Sequence, residues 1–288
     1  METNTIGIAA GLGAYGVFAM HDAGVKWLVA DFPVWQILFF RSATILVICL
    51  CTGRRALLER AAISTFKRPL AFRGVVMLTA WLCYYSAART LPLAQLLCLY
   101  YAAPLMITVM AGPILKERVT RARWISVAVG FTGVLFASDP FGVRASFPAL
   151  LVLIAAALWG YGVILMRQIA RQEPTMLQML ATNTVFFIGT GVACLVRWRT
   201  PTAVQTVELM GVGVVGGLAQ FLVFEAARII PASVMATLEY SALPWAFLLG
   251  YWIWSDIPAP AVFFGAGLIV LAGALLIRSE RKSGAWTA

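Results

Sequence analysis

Residues 87–104 read Ala-Ala-Arg-Thr-Leu-Pro-Leu-Ala-Gln-Leu-Leu-Cys-Leu-Tyr-Tyr-Ala-Ala-Pro, and residues 226–244 read Ala-Ala-Arg-Ile-Ile-Pro-Ala-Ser-Val-Met-Ala-Thr-Leu-Glu-Tyr-Ser-Ala-Leu-Pro. Ala87-Ala88-Arg89-x-x-Pro92 thus recurs as Ala226-Ala227-Arg228-x-x-Pro231. The same spacing carries Tyr101 onto Tyr240 and, with a slip of one residue, Pro104 onto Pro244. Upstream, Tyr15-Gly16-Val17-x-x-Met20 recurs as Tyr161-Gly162-Val163-x-x-Met166. Four matches in one order imply two copies of a single unit, divided at residues 1–140 and 141–288.

The solvent of that unit follows from composition. Of the 288 residues, 61% are apolar and 12% charged, whereas a soluble domain carries about 45–50% and about 25%. Too little polar surface remains to cover a globule in water, which excludes an ordinary soluble enzyme. The abundance of aliphatic and aromatic residues excludes disorder.

A bilayer crossing needs about 20 mostly apolar helical residues. Such runs lie near 5–24, 33–51, 71–88, 93–113, 124–138, 147–166, 175–196, 207–226, 233–254 and 260–277. The expected fold is an all-α integral membrane protein of ten transmembrane helices. Five spans per copy is an odd number, so the second copy enters the membrane from the opposite side and the halves form an inverted-topology pair. Transporters use this architecture to expose one central site alternately to either face. No basic segment precedes the first apolar run, which therefore reads as a retained span.

The net charge of +10 has its meaning in where the basic residues fall. With the N-terminus inside, 16 of the 22 Lys and Arg flank the inner ends of spans, Arg73 among them, five flank the outer ends, and Arg41 lies within span two. The positive-inside rule places both termini in the cytoplasm and the protein in the inner (plasma) membrane. Charge here encodes topology, and no nucleic-acid partner is expected. Five cysteines without CxxC spacing and a single histidine, His21, offer no metal site and no disulfide framework. No cofactor is expected either. Two GxGxxG strings, Gly11 to Gly16 and Gly211 to Gly216, lie inside spans and lack the strand and solvated helix start of a dinucleotide site. Gly7-x-x-x-Gly11 and Gly213-x-x-x-Gly217 read instead as faces for close helix approach.

Candidate transport residues stand out against lipid. Aromatic residues of membrane proteins favour the two interfaces, yet Tyr15, Trp81, Tyr84, Tyr100, Tyr101, Trp159, Tyr161, Tyr240 and Trp245 fall near mid-span. A phenol or indole at that depth needs a polar partner, so a shared aromatic-walled cavity is expected, with plain helix packing as the alternative. Charges at depth are costly and point to function by default. Arg41 is halfway along span two and Glu239 is six residues into span nine. Glu239 can receive a substrate ammonium or a proton, or pair structurally with Arg41 or a tyrosine. Gln95 and Gln220 add neutral donors and acceptors, as do Gln36, Gln178 and Asn183, whose usual role is helix-to-helix bonding. His21 and Asp22 are expected to meet water at the outer end of span one, and Glu225 and Arg228 to form a local ion pair. Pro104 and Pro244, at mid-span, remove a helical hydrogen bond and can act as hinges or shape the cavity.

Pro104 followed by Lys116-Glu117-Arg118, Trp124, Gly130 and Gly133-Val134, and Pro244 followed by Asp256, Pro258, Gly265 or Gly267 and Ala272-Gly273, resemble the EamA-type ten-span branch of the drug/metabolite transporter superfamily. Phe39-Phe40-Arg41 is similar to that branch's arginine position. Such proteins commonly carry a Gly-Glu pair before the last span of each half; here those places read Lys116-Glu117 and Ser255-Asp256. The resemblance implies a cavity lined mainly by spans one, three, four, six, eight and nine, as in amino-acid exporters of the YddG type. The stretch from Met20 to Arg41 is also similar to some uptake members for vitamins or S-adenosylmethionine. The expected function is secondary transport of a small amphiphilic substrate, most simply the export of aromatic and other amino acids, by a protein that needs no partner beyond the lipid bilayer and can act as a monomer. An intramembrane lipid-modifying enzyme would need a convergent acid, base or metal set that this chain lacks, and a channel gains nothing from the repeat.

Overall fold

The computed structural model describes residues 2–91, 96, 99–116, 119–138, 147–170, 172–255 and positions 264, 265, 267, 268, 271, 272 and 275. Within them the protein is all-α. The helices are α1 (Glu2–Val29), α2 (Val34–Ile63), α3 (Lys67–Ala88), α4 (Ala103–Leu115), α5 (Arg121–Ser138), α6 (Phe147–Ala170), α7 (Thr175–Val196), α8 (Ala203–Ile229), α9 (Ala232–Glu239) and α10 (Ala242–Trp254). The described positions between 264 and 275 are also helical, where the tenth span is expected. Among the described residues, α2, α3, α6, α7 and α8 are each long and apolar enough to cross a membrane. Their outward faces carry exposed Val47, Phe72, Ile188, Val192, Leu195 and Val207, a surface suited to lipid and costly in water.

Local chemistry sets the helix ends. α2 and α7 each follow a proline, Pro33 and Pro174, in extended backbone, a residue that cannot prolong a helix backward. Thr202 and Gln205 close a capping box at the start of α8. Beyond the expected end of span two, α2 kinks at Arg54 (φ 48°, ψ −150°) and runs on to Ile63.

Spans four and nine are each interrupted near the middle. The chain tightens at Tyr101–Ala102, where the Ala102 N–H bonds the Leu99 carbonyl, and at Tyr240–Ser241, where the Ser241 N–H bonds that of Leu238. Pro104 and Pro244 explain the tightening. Neither can donate to the carbonyl four residues back, Tyr100 and Tyr240, so the ladder shortens to three-residue turns and each proline falls in the first turn of the following segment, where its missing N–H costs little. Both following segments, α4 and α10, have 13 residues, and both stop at a left-handed residue, Lys116 (φ 55°) and Ser255 (φ 56°).

Packing is reciprocal between the two parts of the chain. α1 lies on α8 as α3 lies on α6; α2 meets α8 as α3 meets α7; α2 packs on α7; and α4 meets α6 as α1 meets α10. Glycines permit the closest approaches. A Cβ at Gly7 would strike Ile230 at 2.7 Å, and one at Gly11 would strike Leu238 at 2.8 Å.

Candidate substrate-binding site

The C-terminal half of α1, the ends of α3 and α7 and the start of α10 surround a cavity of about 730 Å³ at the end of the bundle away from the N-terminus. Lys26, Arg89, Arg197 and Arg199 line it, with Asp22 and Asp31 as its acids. Its shape is braced by side-chain-to-backbone bonds. Gln36 Nε2 donates to the Arg199 carbonyl (2.6 Å) while Gln36 Oε1 accepts from the Arg199 N–H (3.0 Å), Arg199 reaches the Asp31 carbonyl, and Arg89 donates to that of Phe32 (3.2 Å).

Asp22, Tyr84, Tyr85, Tyr101 and Ala242 continue from this vestibule into a second cavity of about 60 Å³. Its remaining wall is Tyr15, Phe18, Ala80, Trp81, Tyr100, Trp159 and Glu239. The rings lock one another: Tyr84 and Tyr100 centroids lie 4.7 Å apart, Tyr100 and Trp159 6.4 Å, Tyr101 and Tyr240 5.7 Å. The Tyr15 hydroxyl donates to the Met235 carbonyl (3.4 Å). Glu239 is 3% exposed. The Trp159 indole N–H faces its carboxyl group, with neither Glu239 Oε2 nor Trp159 Nε1 in full hydrogen-bond geometry, and the Tyr240 and Ser241 hydroxyls are buried without a hydrogen-bond partner among the described residues. Unpaired polar atoms at such depth are costly, and their clustering beside a cavity is what a binding site for a polar group requires.

A third cavity of about 30 Å³ shares Phe18, Trp81 and Trp159 with the second, and is further lined by Arg41, Arg73, Thr182, Gln220 and Phe224. Arg41 Nε donates to His21 Nε2 (3.2 Å), and its guanidinium lies 4.3 Å from the Trp81 ring centroid. His21 Nδ1 is 3.2 Å from Asp22 Oδ1, which accepts from the Tyr85 hydroxyl at 2.8 Å. Because Arg41 can only donate, the histidine proton sits on Nδ1 and points to Asp22. A polar chain therefore links Arg41 to the vestibule.

Of the residues expected at the site, Tyr15, Trp81, Tyr84, Tyr100, Tyr101, Trp159 and Glu239 are brought around the second cavity and Gln220 around the third. Tyr240 stacks beneath, on Tyr101 and against Gly130. Tyr161 stands apart, edge-on to Phe72 at 6.3 Å, and Trp245 is 48% exposed. Gln95 lies outside the described residues. Arg41 takes His21 and not Glu239 as its partner, and His21, expected to meet water, is fully buried, because α1 continues to Val29 and keeps it inside the bundle. Glu225 and Arg228 do form a local ion pair (3.6 Å). Arg73, read as an inner-flank charge, is buried; α3 begins at Lys67 and carries it about 9 Å into the bundle. Arg73, Met77 and Trp81 recur at helical spacing on one face, and that pattern is the signal that marks it.

Residues 5–138 match the EamA-like transporter family. The chain is 27% identical to the pseudopaline exporter CntI of Pseudomonas aeruginosa over 92% of its length and 93% of the relative's. It is 24% identical to an S-adenosylmethionine uptake transporter of Rickettsia bellii over 98% and 97%, and 28% identical to a riboflavin transporter of Vibrio cholerae over 73% and 70%. A solved crystal structure with 18% identity superposes with a TM-score of 0.76 over 98% of both chains, a likeness of fold.

Proposed function

We propose that this protein, whose residues 5–138 match the EamA-like transporter family and whose matched relatives are named as transporters, is a ten-span secondary carrier of the inner membrane that exports amphiphilic amino acids and related metabolites by alternating access. Its halves, 1–140 and 141–288, would be inverted copies. Three observations support that division: reciprocal packing, the paired interruptions at Tyr101 and Tyr240, and the paired left-handed ends at Lys116 and Ser255. With both termini cytoplasmic, as the basic flanks favour, the vestibule faces outward.

The observation that carries the reading is Glu239, a buried carboxylate with an unpartnered oxygen in an aromatic-walled cavity at the foot of a wide vestibule. Aromatic walls suit the apolar part of a substrate, and a carboxylate with no cation beside it among the described residues suits its ammonium. Similarity to an exporter over nine-tenths of both chains supports export. A second reading, uptake, is favoured by the likeness to S-adenosylmethionine and riboflavin transporters. The same cavity serves both, since a carrier without coupling follows its gradient.

Counterflow in proteoliposomes with radiolabelled amino acids, riboflavin and S-adenosylmethionine, with and without a pH gradient, tests the proposal; absence of counterflow with every compound would refute it. Glu239→Gln is expected to reduce flux of ammonium-bearing substrates at least about tenfold with normal membrane insertion. Undiminished flux would remove Glu239 from the site.

A further inference from the structure

We propose that Arg41 and Arg73 together form a carboxylate-binding subsite, so that the substrate's anionic end enters the third cavity while its ammonium faces Glu239 across the Trp81–Trp159 partition. The proposal rests on the carrier reading above and narrows its substrates to amphiphiles whose ammonium and carboxylate are held apart by an apolar segment, since an α-amino acid carries both groups on one carbon and cannot span the two cavities.

Two guanidiniums, from α2 and α3, line one small cavity, and they are 2% and 4% exposed. Buried charges in proteins are ordinarily paired. Here neither has a carboxylate within ion-pair distance among the described residues; Asp31 pairs with Arg199, Glu59 with Arg55, Glu173 with Arg60 and Glu225 with Arg228, while Asp22 bonds the neutral His21. What holds the two cations in place is neutral. Arg73 Nε donates to the Gly162 carbonyl (3.1 Å) and Nη1 to Thr182 Oγ1 (3.0 Å), with the Phe224 ring centroid 4.7 Å from Cζ. Arg41 uses His21 and the Trp81 face. These contacts orient each guanidinium and leave most of its N–H donors unspent.

The third polar group completes the same chemistry. Gln220 Oε1 accepts from Asn183 Nδ2 (3.1 Å), which in turn donates to the Met179 carbonyl (2.8 Å). With its oxygen engaged, the Gln220 carboxamide has its NH₂ left as the group that can donate to a ligand in the cavity it lines. Two cations and an amide line a space of about 30 Å³, room for a small polar group, and the planar fork of arginine matches the geometry of a carboxylate. A cationic substrate end is repelled there. The adjoining cavity, holding Glu239, has the opposite preference, and Phe18, Trp81 and Trp159 belong to both. The two cavities thus sort the two ends of a zwitterion whose charges are bridged by a segment that packs on aromatic rings.

The test uses full-length purified protein in nanodiscs and two probes of opposite charge, 3-phenylpropionate and phenethylamine, with binding read by thermal shift and by tryptophan fluorescence. 3-Phenylpropionate is expected to bind the wild type and to weaken at least about tenfold in Arg73→Gln and Arg41→Gln, while phenethylamine keeps its affinity in both variants and loses it in Glu239→Gln. Should the glutamine variants fail to fold, Arg73→Lys retains the charge and is expected to keep carboxylate binding, and the preference of the wild type for 3-phenylpropionate in chloride-free buffer, lost on adding benzoate as competitor, reads the site without any substitution. Failure of 3-phenylpropionate to bind the wild type, or equal loss of both probes in Arg73→Gln, would overturn the subsite. Counterflow without carboxylate selectivity would remove the subsite and leave the carrier reading intact; carboxylate-selective binding without counterflow would do the reverse.

Discussion

At the scale of single residues, His21 decides how Arg41 is held. It is fully buried, its Nε2 accepts from Arg41, and its ring meets those of Phe18 and Trp81 with centroids at 6.1 and 5.4 Å. His21→Phe keeps the ring contacts and removes the acceptor, leaving a buried guanidinium short of a partner. The expected cost is about 1–3 kcal/mol, read as a lowered apparent Tm in detergent, with His21→Gln restoring part of it. An unchanged Tm would mean that Trp81 alone holds the cation. Visibility in the sequence followed the same physics. Tyr15, Trp159 and Glu239 stood out because rings with polar tips and carboxylates are misplaced in lipid. Arg73 is hidden because a basic residue near a span end has a ready explanation in topology, and His21 because the apolar run ends near residue 24 while α1 continues to Val29. The partner of a buried polar group depends on which helices cross it, and the chain order alone does not fix that.

At the scale of elements, the spans were readable because bilayer thickness imposes their length, and the prolines marked where two of them change. How the segments beyond those prolines terminate is visible only in the structure. α4 and α10 each end on a left-handed residue, and those residues, Lys116 and Ser255, occupy the places where the resemblance leads one to expect glycine. A side chain with a Cβ adopts this conformation at a cost of about 1–2 kcal/mol, part of which glycine returns through the greater freedom of its unfolded chain. Lys116→Gly and Ser255→Gly are therefore expected to stabilise the protein, each by about 0.5–1 kcal/mol, measured as a raised Tm with transport preserved. A lowered Tm for both would show that the Lys116 and Ser255 side chains contribute more than their backbone conformation costs. The break at Arg54 has another status: it marks where the apolar part of α2 gives way to a charged extension, Arg54 to Arg60, that belongs to the surface.

At the scale of the whole molecule, the two ends of the bundle differ. One holds the vestibule. Toward the other, the Glu239 cavity is floored by Tyr101 on Tyr240, and the N-terminal part of α1 seats its glycines against Ile229, Ile230 and Leu238. There the end of α2 is tied to the α6–α7 turn through Glu173, whose Oε2 accepts from Arg60 Nε (3.2 Å) and Nη2 (3.1 Å) and whose Oε1 accepts from the Ser64 hydroxyl (2.6 Å). Glu173 is buried, Arg60 half exposed. In the alternating-access reading proposed above, this end opens while the vestibule closes, so a tie present in only one state would set the balance between them. Glu173→Gln removes the charge and keeps an acceptor for Ser64. Discounting for the exposure of Arg60, the loss is about 1–2 kcal/mol, enough to raise the population of the alternate state roughly tenfold. Met235, fully buried under Tyr15, reports on it: in a background without the native cysteines, a Met235→Cys reporter is expected to react with a maleimide about tenfold faster when Glu173→Gln is present. An unchanged rate would confine Glu173 to local packing and place the closure of this end in the α1–α9 contact instead.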